Sequence, residues 1–193
     1  MEEFSDEQLM ELIGHENEAA FAVLLRRHQD LVYGSIHRML GPYNAETEDL
    51  AQQVFLKVWK AAPRYRAEAR FTTWLLTICR NCVFTQLKKS QRQKTEPLEF
   101  QGVDGEGESP HPDHDMPTPS AEMLREEMRQ HVEEALCQLP LSQRTALSLR
   151  QHEQLDYDEI ARVMGLSVSS VKSLLFRARE TLREQLKNYL DAT

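Results

Sequence analysis

Two stretches of the chain combine side chains that grip anions with side chains that stack on or read a planar base. Between residues 64 and 81 stand Arg64, Tyr65, Arg66, Arg70, Phe71, Trp74 and Asn81. They offer guanidinium groups for phosphate, rings for base stacking, and a carboxamide that is donor and acceptor at once. Between residues 169 and 179 stand Ser169, Ser170, Lys172, Ser173, Phe176, Arg177 and Arg179, hydroxyls and cations of the kind that reach base edges and phosphates in a major groove. Both sets point to nucleic acid. Solvated helix faces carry such clusters too, so the elements beneath them decide.

Other chemistry is poorly represented. Cys79 and Cys82 have C-x-x-C spacing, but no second pair or histidine cluster follows, and Cys82 falls on an apolar stripe, so both read as core. Cys137 is distant, and His111 and His114 lack a ligand set. No nucleophile, base or phosphate-loop arrangement is present, so the chain reads as neither an enzyme nor a metal or cofactor protein. An odd count of three cysteines speaks against a disulfide framework. The acidic start, Met1, Glu2, Glu3, lacks the basic-then-apolar layout of a signal peptide, and no apolar run approaches bilayer length. A cytoplasmic protein without membrane insertion is expected.

The elements that must carry the two clusters read as helices throughout. In the first 94 residues, Ser5 with Gln8 fits a capping box. Phe21, Leu24, Leu25, Leu31, Val32, Ile36 and Leu40 recur at helical spacing up to Gly41-Pro42. Leu50, Val54, Phe55 and Val58 predict a helix from about Ala45 to Ala62, stopped by Pro63. Phe71, Leu75, Ile78 and Cys82 predict another from about Arg70 to Ser90. Phe71 therefore reads as core, Trp74 fits either role, and Tyr65 with the arginines is left to face a ligand.

Residues 95–120 hold five of the eight prolines, three glycines and seven acids without a cation, which reads as a mobile acidic linker. Beyond it, Leu124, Met128, Val132, Ala135, Leu136 and Leu139 predict a helix ended by Pro140, with Ser142 placed to cap the next. From 157 to 180 the spacing fits a helix-turn-helix: small Ala161 where helices approach, Gly165 for the turn, Val171 returning to the core. Ile160, Val163, Leu166, Leu175, Ala178 and Leu182 would form its apolar seam. The expected fold is all-α: a helical domain over 1–94, a linker over 95–120, and a helix-turn-helix domain over 121–193.

The net charge of −8 conceals an asymmetry. Residues 1–18 and 95–120 each carry −7, which leaves +6 for the rest. Residues 63–94 hold a local +7 and residues 162–187 a local +4. Basic surfaces with acidic appendages suit a nucleic-acid binder.

Asp49-Leu-Ala-Gln52-Gln53-Val-Phe55-Leu-Lys57-Val-Trp59 followed by Phe71-Thr-Thr-Trp74-Leu-Leu-Thr-Ile-Cys-Arg-Asn81 resembles region two of sigma-70 factors. Leu155-Asp-Tyr157-Asp-Glu159-Ile-Ala161 through Val171 to Arg179 resembles region four. The order and separation of the blocks, without other regions, are those of the extracytoplasmic-function subgroup. The resemblance implies that Asp49, Gln52 and Gln53 dock on core RNA polymerase, and these three do share a polar helix face. It also implies that Arg64, Tyr65, Arg66, Arg70, Trp74 and Asn81 serve the minus-ten element of promoter DNA, opening it and holding a flipped base. Ser169, Ser170, Lys172, Ser173, Phe176, Arg177 and Arg179 would read the minus-thirty-five element, and an anti-sigma factor would clamp the two domains. Gln53 departs from the glutamate common in the family, and Leu174 from its arginine. The competing expectation is a helix-turn-helix regulator that does not join polymerase; it needs only residues 121–193 and leaves the N-terminal block unexplained.

Overall fold

The computed structural model describes residues 3–41, 46–95 and 121–192, and every regular element among them is helical. All but the first residue of the expected linker lie outside the described residues, as do Pro42, Ala45 and the side chain of Leu124.

Helix α1 (Asp6–Gly14) opens on the expected capping box. Ser5 Oγ accepts from the Gln8 amide at 3.3 Å, and the Ser5 amide donates to Gln8 Oε1 at 2.9 Å. Helix α2 (Glu18–Leu40) is capped by Asn17, whose Oδ1 accepts from the Ala20 amide at 2.9 Å. It ends at Gly41, where φ of +96° admits little besides glycine. Helix α3 (Thr47–Ala61) runs into a single 3-10 turn (Ala62–Arg64) containing Pro63, and the chain is extended at Tyr65 before α4 (Phe71–Thr95). Leu24, Val32, Ile36, Leu50, Val54, Leu75 and Val83 are buried between α2, α3 and α4. Phe21 packs edge-on against Trp59 at 5.1 Å and Phe55 at 6.5 Å.

Helices α5 (Ala121–Gln138) and α6 (Leu141–Gln151) pack on the long α8 (Val168–Ala192), with the short α7 (Tyr157–Met164) between α6 and α8. Three expectations need correction here. Ser142 does not cap α6: Pro140, whose ring fixes φ near the helical value, occupies the cap, its carbonyl accepts from the Gln143 and Arg144 amides, and Ser142 falls inside the first turn. Leu166 is not in the seam but 41% exposed, because it follows Gly165 in the turn rather than lying on either helix. Met128, expected on the apolar stripe of α5, is 37% exposed.

The two groups of helices touch. α6 lies against α2 and α7 against α4, so a single buried cluster runs from Leu9 in α1 to Ala178 in α8.

Candidate nucleic-acid interface

The end of α3, the 3-10 turn and the start of α4 enclose an open cleft of about 620 Å³. Pro63 lies in the 3-10 turn that follows α3, and Arg64, Tyr65 and Arg66 line the cleft together with Trp74. Lys57 and Lys60 from α3 and Arg162 from α7 also line it, so five cations face it against Glu68. Spacing along the chain did not select the last three. The two lysines precede the turn by less than two helical turns and were legible as neighbours, whereas Arg162 arrives only through tertiary packing.

Tyr65 is less free than expected. Its ring sits edge-on to Trp74 at 4.9 Å and to Phe71 at 6.1 Å, and its buried hydroxyl has no partner among the described residues. Burial, with Glu7 and Asp6 nearby, pushes its pKa above the usual phenol value. Phe71 is 3% exposed and is core, as its stripe predicts; Trp74 is half-buried with an edge in the cleft. The site therefore has a supported aromatic wall with a basic rim. Arg70 does not line it and turns toward Glu159, 3.6 Å away. Asn81 lies about 10 Å further along α4, exposed, with its Oδ1 accepting from Arg80 at 2.9 Å.

Asp49, Gln52 and Gln53 are exposed on the outer face of α3, opposite buried Leu50, Val54 and Val58. Leu56, seven residues from Asp49 and so on the same face, is 57% exposed. An apolar side chain left in water beside three polar ones was visible in the spacing.

Cys79 and Cys82 are both buried in α4, and burial with Cys82 alongside raises the Cys79 thiol, keeping it protonated. The Lys57 ammonium lies 3.2 Å from Cys82 Sγ.

In the C-terminal part, Asp156 and Glu159 form a reciprocal capping box on α7: the Glu159 amide donates to Asp156 Oδ1 at 2.8 Å, and the Asp156 amide to Glu159 Oε2 at 3.1 Å. Gly165 takes the left-handed conformation, φ +64° and ψ +39°, that ends α7 and turns the chain into α8. Ser167 Oγ accepts from the Ser170 amide at 3.1 Å, opening α8. Ala161, Val171, Leu175 and Ala178 are buried at the crossing. Ser169, Ser170, Lys172, Ser173, Phe176, Arg177 and Arg179 are all exposed on the first three turns of α8. Phe176 is 64% exposed, against the tendency of a large ring. Ser173 Oγ already donates to the Ser169 carbonyl at 3.0 Å, and the Lys172 ammonium sits 5.8 Å from the centre of the Tyr157 ring. Leu174 is half-buried against the core, so a long cation there would have to leave the packing.

Residues 24–93 match sigma-70 region 2 and residues 129–182 match sigma-70 region 4. The chain is 34% identical to the RNA polymerase sigma-H factor of Pseudomonas aeruginosa over 96% of its own length and 95% of the relative's. It is 30% identical to the ECF RNA polymerase sigma-E factor of Escherichia coli K12 over 96% of each. Its fold is that of CnrH, solved in complex with the cytosolic domain of CnrY, with a TM-score of 0.64 at 22% identity over 95% of this chain and 97% of that one. RpoE of Bartonella quintana, solved with the anti-sigma factor NepR, gives a TM-score of 0.62 at 24% identity over 84% and 94%. The chain belongs to the sigma-70 family of RNA polymerase sigma factors. Within that family it falls in the extracytoplasmic-function subgroup, whose members carry region two and region four.

Proposed function

We propose that the outer face of α3, Asp49, Gln52, Gln53 and Leu56, docks on core RNA polymerase, while the cleft around Arg64, Tyr65, Arg66 and Trp74 takes the minus-ten strand. Arg70 and Asn81 extend that surface along α4. The exposed row Ser169, Ser170, Lys172, Ser173, Phe176, Arg177 and Arg179 enters the major groove at the minus-thirty-five element. In this reading residues 1–94 and 121–193 are the two DNA-facing units and 95–120 the tether. The observation that carries it is the presence, on one chain, of two basic surfaces of different build. One is a cleft with an aromatic wall, suited to unstacked bases; the other is a protruding helix face, suited to duplex.

The polymerase supplies the catalysis; this chain supplies promoter choice, works in the cytoplasm, and needs no cofactor. Control by an anti-sigma factor is part of the proposal, supported by the two solved neighbours, each recorded in complex with a second protein. The test is transcription in vitro with purified core polymerase and a library of randomised promoters. Initiation dependent on this protein, with both promoter elements enriched, is the expected result. No transcript and no complex with core on a sizing column would leave a plain DNA-binding regulator as the better account.

A further inference from the structure

The contact between the two groups of helices is polar at its two key points. Glu153, in the turn between α6 and α7, accepts from Ser35 Oγ of α2 at 2.7 Å and pairs with Arg38 of the same helix. Arg38 also donates to Ser148 Oγ on α6 at 3.3 Å. Ser35 is fully buried, Ser148 nearly so, and the Glu153 side chain is 9% exposed. Gln154, the next residue, has φ of +53°, a conformation that costs a non-glycine residue free energy and is kept here where it turns Glu153 onto α2. At the second point Glu159 of α7 lies 3.6 Å from the Arg70 guanidinium and 3.5 Å from the Thr73 hydroxyl of α4. Thr73 is 2% exposed and also lines the cleft.

We propose that Glu153 and Glu159 latch the C-terminal helices onto the N-terminal ones, so that the free chain occludes its own promoter surface without any partner. Glu153 is the anchor. Glu159 is the blocking group: its carboxylate stands beside Arg70 as a phosphate would, and the helix that carries it covers one side of the cleft. The contact is built to separate. Ions withdrawn from one another regain hydration, and although one buried apolar cluster runs across the junction, the packing beside Arg38 and Ser148 is interrupted by an open cavity of about 310 Å³. That occlusion matters for promoter use rests on the function proposed above; the latch itself does not.

The experiment uses the full-length free protein and two readouts, X-ray scattering and binding of a single-stranded oligonucleotide of random sequence. A compact chain of this length has a radius of gyration of about 16 Å. Glu153→Arg sets two guanidiniums against each other and is expected to enlarge the particle and tighten oligonucleotide binding. The gain is roughly ten- to a hundred-fold if the latch keeps the open form at 1–10%. Combining it with Arg38→Glu restores an ion pair of reversed polarity and should return both readouts toward wild type, which simple misfolding would not do. Glu153→Gln keeps an acceptor for Ser35 without the charge, and is expected to shift both readouts the same way by less. Glu159→Gln, which preserves the capping box, should tighten oligonucleotide binding alone. Unchanged scattering and binding in Glu153→Arg and Glu153→Gln, or no recovery in the charge swap, overturns the latch. Opening in scattering with no polymerase-dependent transcription keeps the latch and overturns the function proposed above.

Discussion

Asp6 Oδ2 lies 2.9 Å from Nε2 of His28, and its other oxygen 2.6 Å from the Arg27 guanidinium, tying the first turn of α1 to the middle of α2. The acidic N-terminal segment is thus in part structural: one of its seven acids clamps a helix rather than meeting a partner. Asp6 also sits where a negative charge favours the positive end of the α1 dipole.

Asp6→Ala removes the acceptor beside buried His28, whereas Arg27 keeps the Phe4 carbonyl at 3.1 Å. A loss of about 1–3 kcal/mol is expected, measured by urea unfolding, with faster amide exchange along α1 but unchanged exchange in α8. A loss below about 0.5 kcal/mol would show that the apolar face of Leu9, Met10 and Ile13 holds α1 without help.

Gly165 separates conformational from steric cost. Nothing lies within 4 Å of a Cβ built at this position, yet its φ is +64°. Gly165→Ala should therefore cost about 1–2 kcal/mol through the left-handed backbone alone. Gly165→Asn should cost less, since asparagine tolerates this region. Equal losses for both would mean that the turn rearranges.

Local rules carried most of the fold. Caps at Ser5, Asn17, Asp156 and Ser167, breaks at Gly41 and Pro63, and the turn at Gly165 are short-range chemistry, and the helices begin and end near them. What the sequence did not disclose depends on long-range placement. Arg162 reaches the cleft only because α7 packs on α4, and Arg70 leaves it for the same reason. Tyr65 looked free because nothing in its local pattern says that Phe71 and Trp74 fold back over it. Ser142 failed as a cap because the helix starts two residues earlier, with Pro140 in the cap position.

Arg177 is exposed on α8 and no ion pair among the described residues engages it. If it neutralises one phosphate, Arg177→Ala should lower the log-log salt slope of binding to minus-thirty-five duplex by about 0.9, while leaving stability within about 0.5 kcal/mol of wild type. Binding isotherms of the polymerase holoenzyme at several salt concentrations read the slope. An unchanged slope with weaker binding at one sequence position would instead make Arg177 a base reader.

His152 adjoins the latch, and its pKa is lowered from the ordinary 6.5 by partial burial first and by Arg38 second, with Glu153 acting against them. The folded chain then binds fewer protons at His152 than the unfolded chain in the interval just below pH 6.5. The contribution of this group to stability consequently rises with pH through that interval and is lost as pH falls through it. Protonation also puts a second cation beside Arg38, so acid should loosen the contact between α6 and α2. The His152 ring signals followed by NMR are expected to titrate with a midpoint below 6.5, and Arg38→Ala should raise that midpoint by removing a like charge. A midpoint at or above 6.5 in the wild-type chain, or no upward movement in Arg38→Ala, would mean that Glu153 governs this histidine and that acid tightens the junction instead.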